Sequence, residues 1–207
     1  MIEAIATGFA LGLGSGVAPG PLTGLTISTT MRSGIGAGLR IAVAPLISDT
    51  IIIALSLTLV SQLPQTAISI LGVIGAVVVA FFGVEILISA RKAQTPAAGT
   101  AKVPHRLDRF PVVLQGAAIN FLNPAPWIFW VTAGSTLLVG FWRESPISAV
   151  AFTVVFYVLL VGVKVAIVMS LAATRHKMST RTYRGILFAS GILLLVAAAL
   201  LLITHVL

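Results

Sequence analysis

Long apolar runs alternate with short polar breaks along the chain. Runs long enough to cross about 30 Å of hydrocarbon, roughly 20 residues each, cover 3–29, 38–60, 66–90, 111–139, 147–172 and 184–205. Within each run the 3.6-residue alternation of apolar and polar positions is weak, as expected for helices with lipid on one side and other helices on the other. The pattern predicts an all-α integral membrane protein with six transmembrane helices. The one long polar stretch, RKAQTPAAGTAKVPHRLDR at 91–109, separates a three-helix group (1–90) from a second one (110–207). Three is an odd number, so the second group enters the membrane from the opposite face. That is the arithmetic of two inverted three-helix repeats, an arrangement common in secondary transporters.

A repeat predicts that a peculiarity of the first helix recurs in the fourth. APGP at 18–21 is answered by NFLNPAPW at 120–127, so helices 1 and 4 are both expected to be broken by proline. In an unbroken helix Pro19 and Pro21 would free the carbonyls of Ser15 and Val17, and Pro124 and Pro126 those of Asn120 and Leu122. Irregular backbone at membrane depth survives only inside protein or along a wet cavity. Two facing breaks would offer carbonyls and half-helix amide ends to a polar solute, the amide ends favouring a carboxylate. The nearby side chains are polar and uncharged: Ser15, Thr23, Thr26 and Ser28 at the first break, Gln115, Asn120 and Asn123 at the second. The plain alternative is that the prolines only kink the helices and the hydroxyls only join them.

Composition agrees with a membrane protein and directs the search. Of 207 residues 58% are hydrophobic and 9% charged, with mean hydropathy +1.11. There is no cysteine, which removes disulfides, thiolate metal sites and dithiol chemistry. The first run carries Glu3 and exceeds a signal's apolar core, so it is expected to stay as a helix of the mature protein. The formal charge of +8 is placed as a topology signal, and no nucleic-acid partner follows from it: eleven of thirteen Lys/Arg fall on alternate connections, against Arg143 on the other side and Lys164 within a helix. The positive-inside rule then puts both termini outside. Anionic lipid is a second use for the basic loops.

Two charges lie within the apolar runs. A carboxylate in the middle of a membrane helix costs on the order of 2.5–3.5 kcal/mol on insertion scales, so Asp49, in APLISDTIII, needs something to offset it. It stands one turn after Pro45, on the same face. Its roles are a counter-ion for a substrate ammonium, a proton carrier, or a fixed partner for Lys164. Lys164, in LLVGVKVAIV, is either that partner or a side chain snorkelling to the inner surface. Glu85 is expected at the interface near Arg91 and Lys92. Gly8, Gly12, Gly16 and Gly20 form a small-residue stripe for close packing within the protomer or in a homodimer, and Gly72 and Gly75 serve the same end. Trp127, Trp130 and Trp142 accompany helix 4, the last suited to an interface belt. No phosphate loop, HExxH or serine elbow is present, so no enzyme chemistry and no cofactor is expected.

The early Pro19-Gly20-Pro21, the MRSGIGAGLR connection with Gly34, Gly36 and Gly38, Asp49 in helix 2 and NFLNP at 120–124 together resemble the LysE/RhtB-type amino-acid exporters over most of the chain. The resemblance implies a bacterial inner-membrane carrier that exports amino acids or related small solutes on the electrochemical gradient. Position by position it brings Pro19, Gly20, Pro21, Asp49, Asn123 and Pro124 to the pathway. Two departures matter: Ser48 stands where that family usually has glycine before the acid, and Ala125 where it often has lysine. Neither a basic-amino-acid preference nor a named substrate is therefore implied. Rival readings are a divalent-metal exporter of the same superfamily and a non-transporting subunit whose glycine stripe docks another protein. Histidines 105, 176 and 205 form no ligand cluster along the sequence.

Overall fold

The computed structural model describes residues 1–92, 110–173 and 180–206. The basic linker beyond Lys92, with Lys102, His105, Arg106 and Arg109, lies outside the described residues, as do Arg175, His176 and Lys177. The described chain is helical: α1 (Ile2–Val17), α2 (Pro21–Ser33), α3 (Ile35–Ala42), α4 (Pro45–Ser61), α5 (Gln65–Lys92), α6 (Val112–Leu122), α7 (Pro124–Phe129), a π-turn (Trp130–Gly134), α8 (Ser135–Glu144), α9 (Pro146–Ala173) and α10 (Thr180–Val206). Ile35–Ser61, Gln65–Lys92, Pro124–Glu144, Pro146–Ala173 and Arg184–Ile203 are long and apolar enough to cross a membrane, and α1 and α2, bent by 59° at their break, pass the same test as a pair. The protein is a multi-pass, all-α membrane protein.

Prolines start helices here instead of bending them. Pro21, Pro45 and Pro124 occupy the first turns of α2, α4 and α7, where a missing N–H costs nothing because first-turn amides have no partner within the helix. Gly20 precedes α2 in fully extended backbone (φ −175°, ψ 179°). Asn123 caps α7, its Oδ1 accepting from the Ala125 amide at 3.2 Å. The sequence reading expected Pro124 to bare the Asn120 carbonyl. Instead the chain tightens at the end of α6, and that carbonyl accepts from the Asn123 amide at 3.2 Å. Between α2 and α3 the chain reverses at Gly34, whose φ of 84° suits a residue without Cβ.

Water is not available to drive helices together in lipid, so contact area has to come from close approach. The glycine stripe supplies it between α1 and α9. A Cβ on Gly8 would sit 2.7 Å from the Phe152 carbonyl oxygen, one on Gly12 would collide with that of Phe156, and one on Gly16 would lie 3.0 Å from Val163 Cβ. The stripe is thus occupied within the chain, and it ends at Gly16: nothing lies within 4 Å of a Cβ on Gly20, because the helix breaks there and the turn leaves the face. Gly75 similarly admits the backbone of Ala133, while Gly83 and Gly191 let α5 and α10 meet. These pairings join elements of the first group to elements of the second, so the two groups share one interior. Around it, Ile70, Ile74, Val77, Phe81, Val84 and Ile88 on α5 and Ile147, Val150, Val154 and Val158 on α9 are exposed large hydrophobics. They repeat every three or four residues and form the lipid-facing stripes. Trp142 is also exposed.

Adding a methyl at Gly12 forces α1 off α9, whereas Gly162, on α9 but with nothing within 4 Å, has room. Gly12→Ala is expected to destabilise by ~1–3 kcal/mol, the usual overpacking cost. Gly162→Ala is expected to be neutral or stabilising by up to ~1 kcal/mol. Thermal unfolding of the two variants in detergent measures both.

Candidate functional site

The two breaks and the acid of α4 meet around one cavity of about 270 Å³. Its wall is taken from residues 11–23 of α1 and α2, Pro45 and Asp49 of α4, 79–86 of α5, 120–130 of α6, α7 and the π-turn, 156–164 of α9 and Leu194 of α10. On α1, α4 and α5 these positions are offset toward the end of the bundle that carries Arg32, Arg91, Lys92 and Arg184, while on α9 they lie at mid-helix. At that end Arg184 ties α10 to α5, donating to the carbonyls of Ala90 at 2.9 Å and Arg91 at 2.6 Å.

Asp49 is 3% exposed and sits in a constructed cradle. Asn120 Nδ2 donates to Asp49 Oδ1 at 2.7 Å and also to Ser48 Oγ at 2.8 Å. The Tyr157 hydroxyl donates to Oδ2 at 3.2 Å. Three helices therefore converge on one carboxyl group, each of whose oxygens keeps a further lone pair for a ligand. Ser48 positions Asn120. Its own hydroxyl is held by the Ala44 carbonyl at 3.4 Å.

Lys164 is 4% exposed, so it does not snorkel, and it makes no direct ion pair with Asp49. Its Nζ donates to the Gly16 carbonyl at 3.3 Å and to Thr23 Oγ1 at 3.2 Å, while Thr23 donates to the Ala18 carbonyl at 2.9 Å. The first break is thus stitched shut by a hydroxyl and an ammonium. An ammonium has three N–H groups, and two of Lys164's are used. At the second break the Trp127 indole donates to the Phe121 carbonyl at 2.7 Å, and the two rings meet edge to face.

An aromatic floor lies behind the polar groups. Phe129 stacks on Phe156 at 5.5 Å, and Trp130 meets both Phe156 and Tyr157; Phe129, Trp130 and Phe156 line the cavity. Pro19, Gly20, Pro21, Thr23, Asp49, Asn120, Asn123 and Lys164 all line it too, and of the residues singled out from sequence as pathway or charge partner Pro124 alone does not; Pro126 does. Thr26, Ser28 and Gln115 stay away from it, bonding the carbonyls of Leu22, Leu25 and Phe110. Glu85, expected at the interface, is exposed but contributes to the cavity wall. Tyr157 was not foreseen, although it precedes Lys164 by seven residues and so shares its helix face. Among the described residues no three His, Cys, Asp or Glu side chains come together as a metal site.

The sequence profile of the LysE type translocator family matches residues 15–205. The chain belongs to that family. As a LysE type translocator it is a membrane transporter, and the matched region includes both breaks, Asp49 and Lys164. No curated protein and no solved structure matches the chain.

Removing the Asn120 amide leaves Asp49 Oδ1 and Ser48 Oγ without their shared donor. Asn120→Ala is expected to cost ~1.5–3 kcal/mol, as for a hydrogen bond to a charged group, and Tyr157→Phe less, because its bond is longer. Comparing the melting of both variants with that of the parent tests the order.

Proposed function

We propose that this LysE type translocator is a secondary exporter of amino acids or related small zwitterions across the bacterial inner membrane, driven by the electrochemical gradient. The observation that carries the reading is an acid and a base in one cavity that do not pair with each other. Taking two ions out of water costs several kcal/mol each, and a direct pair would be the simplest compensation. Here neutral partners hold Asp49 and Lys164 in separate places on the wall, each with hydrogen-bonding capacity to spare. A zwitterion satisfies both: its ammonium faces Asp49, and its carboxylate faces Lys164 and the start of α2, whose helix dipole favours negative charge. Apart from Ser15, Thr23, Glu85, Asn120 and Asn123 the remaining wall is apolar and aromatic, and the volume of about 270 Å³ lies just below the usual range of ligand pockets (~300–1,000 Å³), room for one small solute.

Recurrence of a Pro-x-Pro break at the start of each three-helix group supports two inverted repeats, with the site at their junction. The concentration of Lys/Arg at the cavity's end supports a cytoplasmic opening, with both termini outside. Asp49, lying between a ligand ammonium and the Tyr157 hydroxyl, is the group to exchange a proton if protons are the coupling ion.

Cells overproducing the protein and loaded with mixed dipeptides are expected to accumulate one or a few amino acids outside. Asp49→Asn is expected to abolish that efflux while the protein stays folded and inserted. Lys164→Gln is expected to lower it by at least roughly tenfold, the equivalent of losing one ~1.4 kcal/mol charge-assisted contact. An extracellular profile equal to that of empty cells, with the wild-type protein present in the membrane, would overturn amino-acid export; full efflux by Asp49→Asn would remove Asp49 from the mechanism.

A further inference from the structure

The wall of the cavity does not reach the end of the bundle remote from Arg91 and Lys92. There α9 packs on α1 and on α8, and α8 and the π-turn pack on α4 and α5. This layer is not uniformly apolar. Ser56 on α4 is 1% exposed and Ser135 at the start of α8 is 0% exposed, and neither hydroxyl has a hydrogen-bond partner. Leaving a buried hydroxyl unpaired is costly, and the same chain shows how such a group is ordinarily satisfied. Thr26, Thr30, Thr132 and Thr136 each donate to the carbonyl four residues earlier. Ser56 and Ser135 do not.

Their positions continue the line of the site. Ser56 follows Asp49 by two helical turns, about 10.5 Å at 1.5 Å per residue, and both belong to the buried face of α4. Ser135 directly follows the π-turn, whose first residue, Trp130, is part of the cavity wall. A π-turn holds one more residue per turn than an α-turn and recurs at functional sites. Converting it to α geometry rotates the following helix by about one residue step, ~100°. A third unpaired hydroxyl, Ser190, lies elsewhere, on α10 beside the Gly191–Gly83 contact with α5.

We infer that Ser56 and Ser135 line the exit route of a second, outward-facing state, reached when the Trp130–Gly134 π-turn rearranges, and that their hydroxyls are paired there with water and the passing solute. This rests on the export reading above. In the packed layer they are buried without partners. When α8 turns against α4, they become the next hydrogen-bonding positions after Asp49.

The chain has no cysteine, so single replacements report water access directly. Ser56→Cys, Ser135→Cys, Ser190→Cys and, as a marker of the open cavity, Ser15→Cys are placed in right-side-out and inverted vesicles and treated with a membrane-impermeant maleimide. Only a thiolate in contact with water reacts, so Ser56→Cys and Ser135→Cys are expected to label from the face opposite the cavity at least roughly tenfold faster than Ser190→Cys. Ser15→Cys is expected to label from the cavity face. Amino-acid flux is followed in the same vesicles. Labelling of both positions no faster than Ser190→Cys, or only from the cavity face, while Ser15→Cys reacts, would overturn the exit route. Labelling from the far face without amino-acid flux keeps the route and discards the amino-acid assignment.

Discussion

Placing a carboxyl group inside an apolar helix bundle is the demand that most of this architecture meets. Asp49 has no cation against it. It is held by an amide from α6 and a phenol from α9, with Ser48 sharing the same amide. Bringing those groups together requires α6 to end beside α4, which the Asn123–Pro124 break allows, and α9 to lie close enough for Tyr157 to reach. Close approach of α9 to the bundle depends in turn on α1 presenting glycine at 8, 12 and 16. The helix break, the small-residue stripe and the polar cradle are therefore three parts of one solution. Were α1 to carry larger side chains, α9 would move outward and take both Tyr157 and Lys164 with it.

The same logic explains why Lys164 and Asp49 stay apart. A buried pair in direct contact is internally satisfied and offers little to a ligand. Two charges fixed separately by neutral partners retain their field in a medium of low effective dielectric, where charge–charge interactions exceed those in water several-fold. The stitching of the first break by Lys164 and Thr23 has a second consequence. The carbonyls of Gly16 and Ala18 accept bonds from side chains, so the chain can leave helical geometry at 18–20 without stranding them, and the start of α2 is left facing the cavity.

Much of this was legible in the sequence, for physical reasons that also mark where legibility ended. Spans are written in apolar run length, and breaks in proline, because both carry a large cost if misplaced. Asp49 and Lys164 stand out because charges in hydrocarbon are expensive. Tyr157 did not stand out: an aromatic residue in FTVVFYVLL looks like lipid-facing or core bulk until a neighbour gives its hydroxyl a partner. The reach of the glycine stripe was overread at Gly20, since spacing of four implies one face only while the helix continues. Snorkelling of Lys164 was plausible from distance to the membrane surface alone, and its burial follows from carbonyl acceptors that a linear reading does not bring near it. The π-turn left no trace in composition, because one extra residue in a turn changes which residues face inward without changing what they are.

That last feature gives the proposed exit route a physical basis. A bundle sealed by tight glycine contacts resists continuous deformation, since cores at high packing density shift between discrete arrangements. An element with two available hydrogen-bond patterns supplies such a discrete step at modest cost. The π-turn is placed where that step would matter, between the aromatic floor of the cavity and the first residue of α8. It also rests against Gly75 of α5, where the backbone of Ala133 is in close contact. Movement there would be felt at Trp130, which packs on Tyr157, and so at Asp49. One chain of contacts thus runs from the acid through Tyr157 and Trp130 to the π-turn and α5.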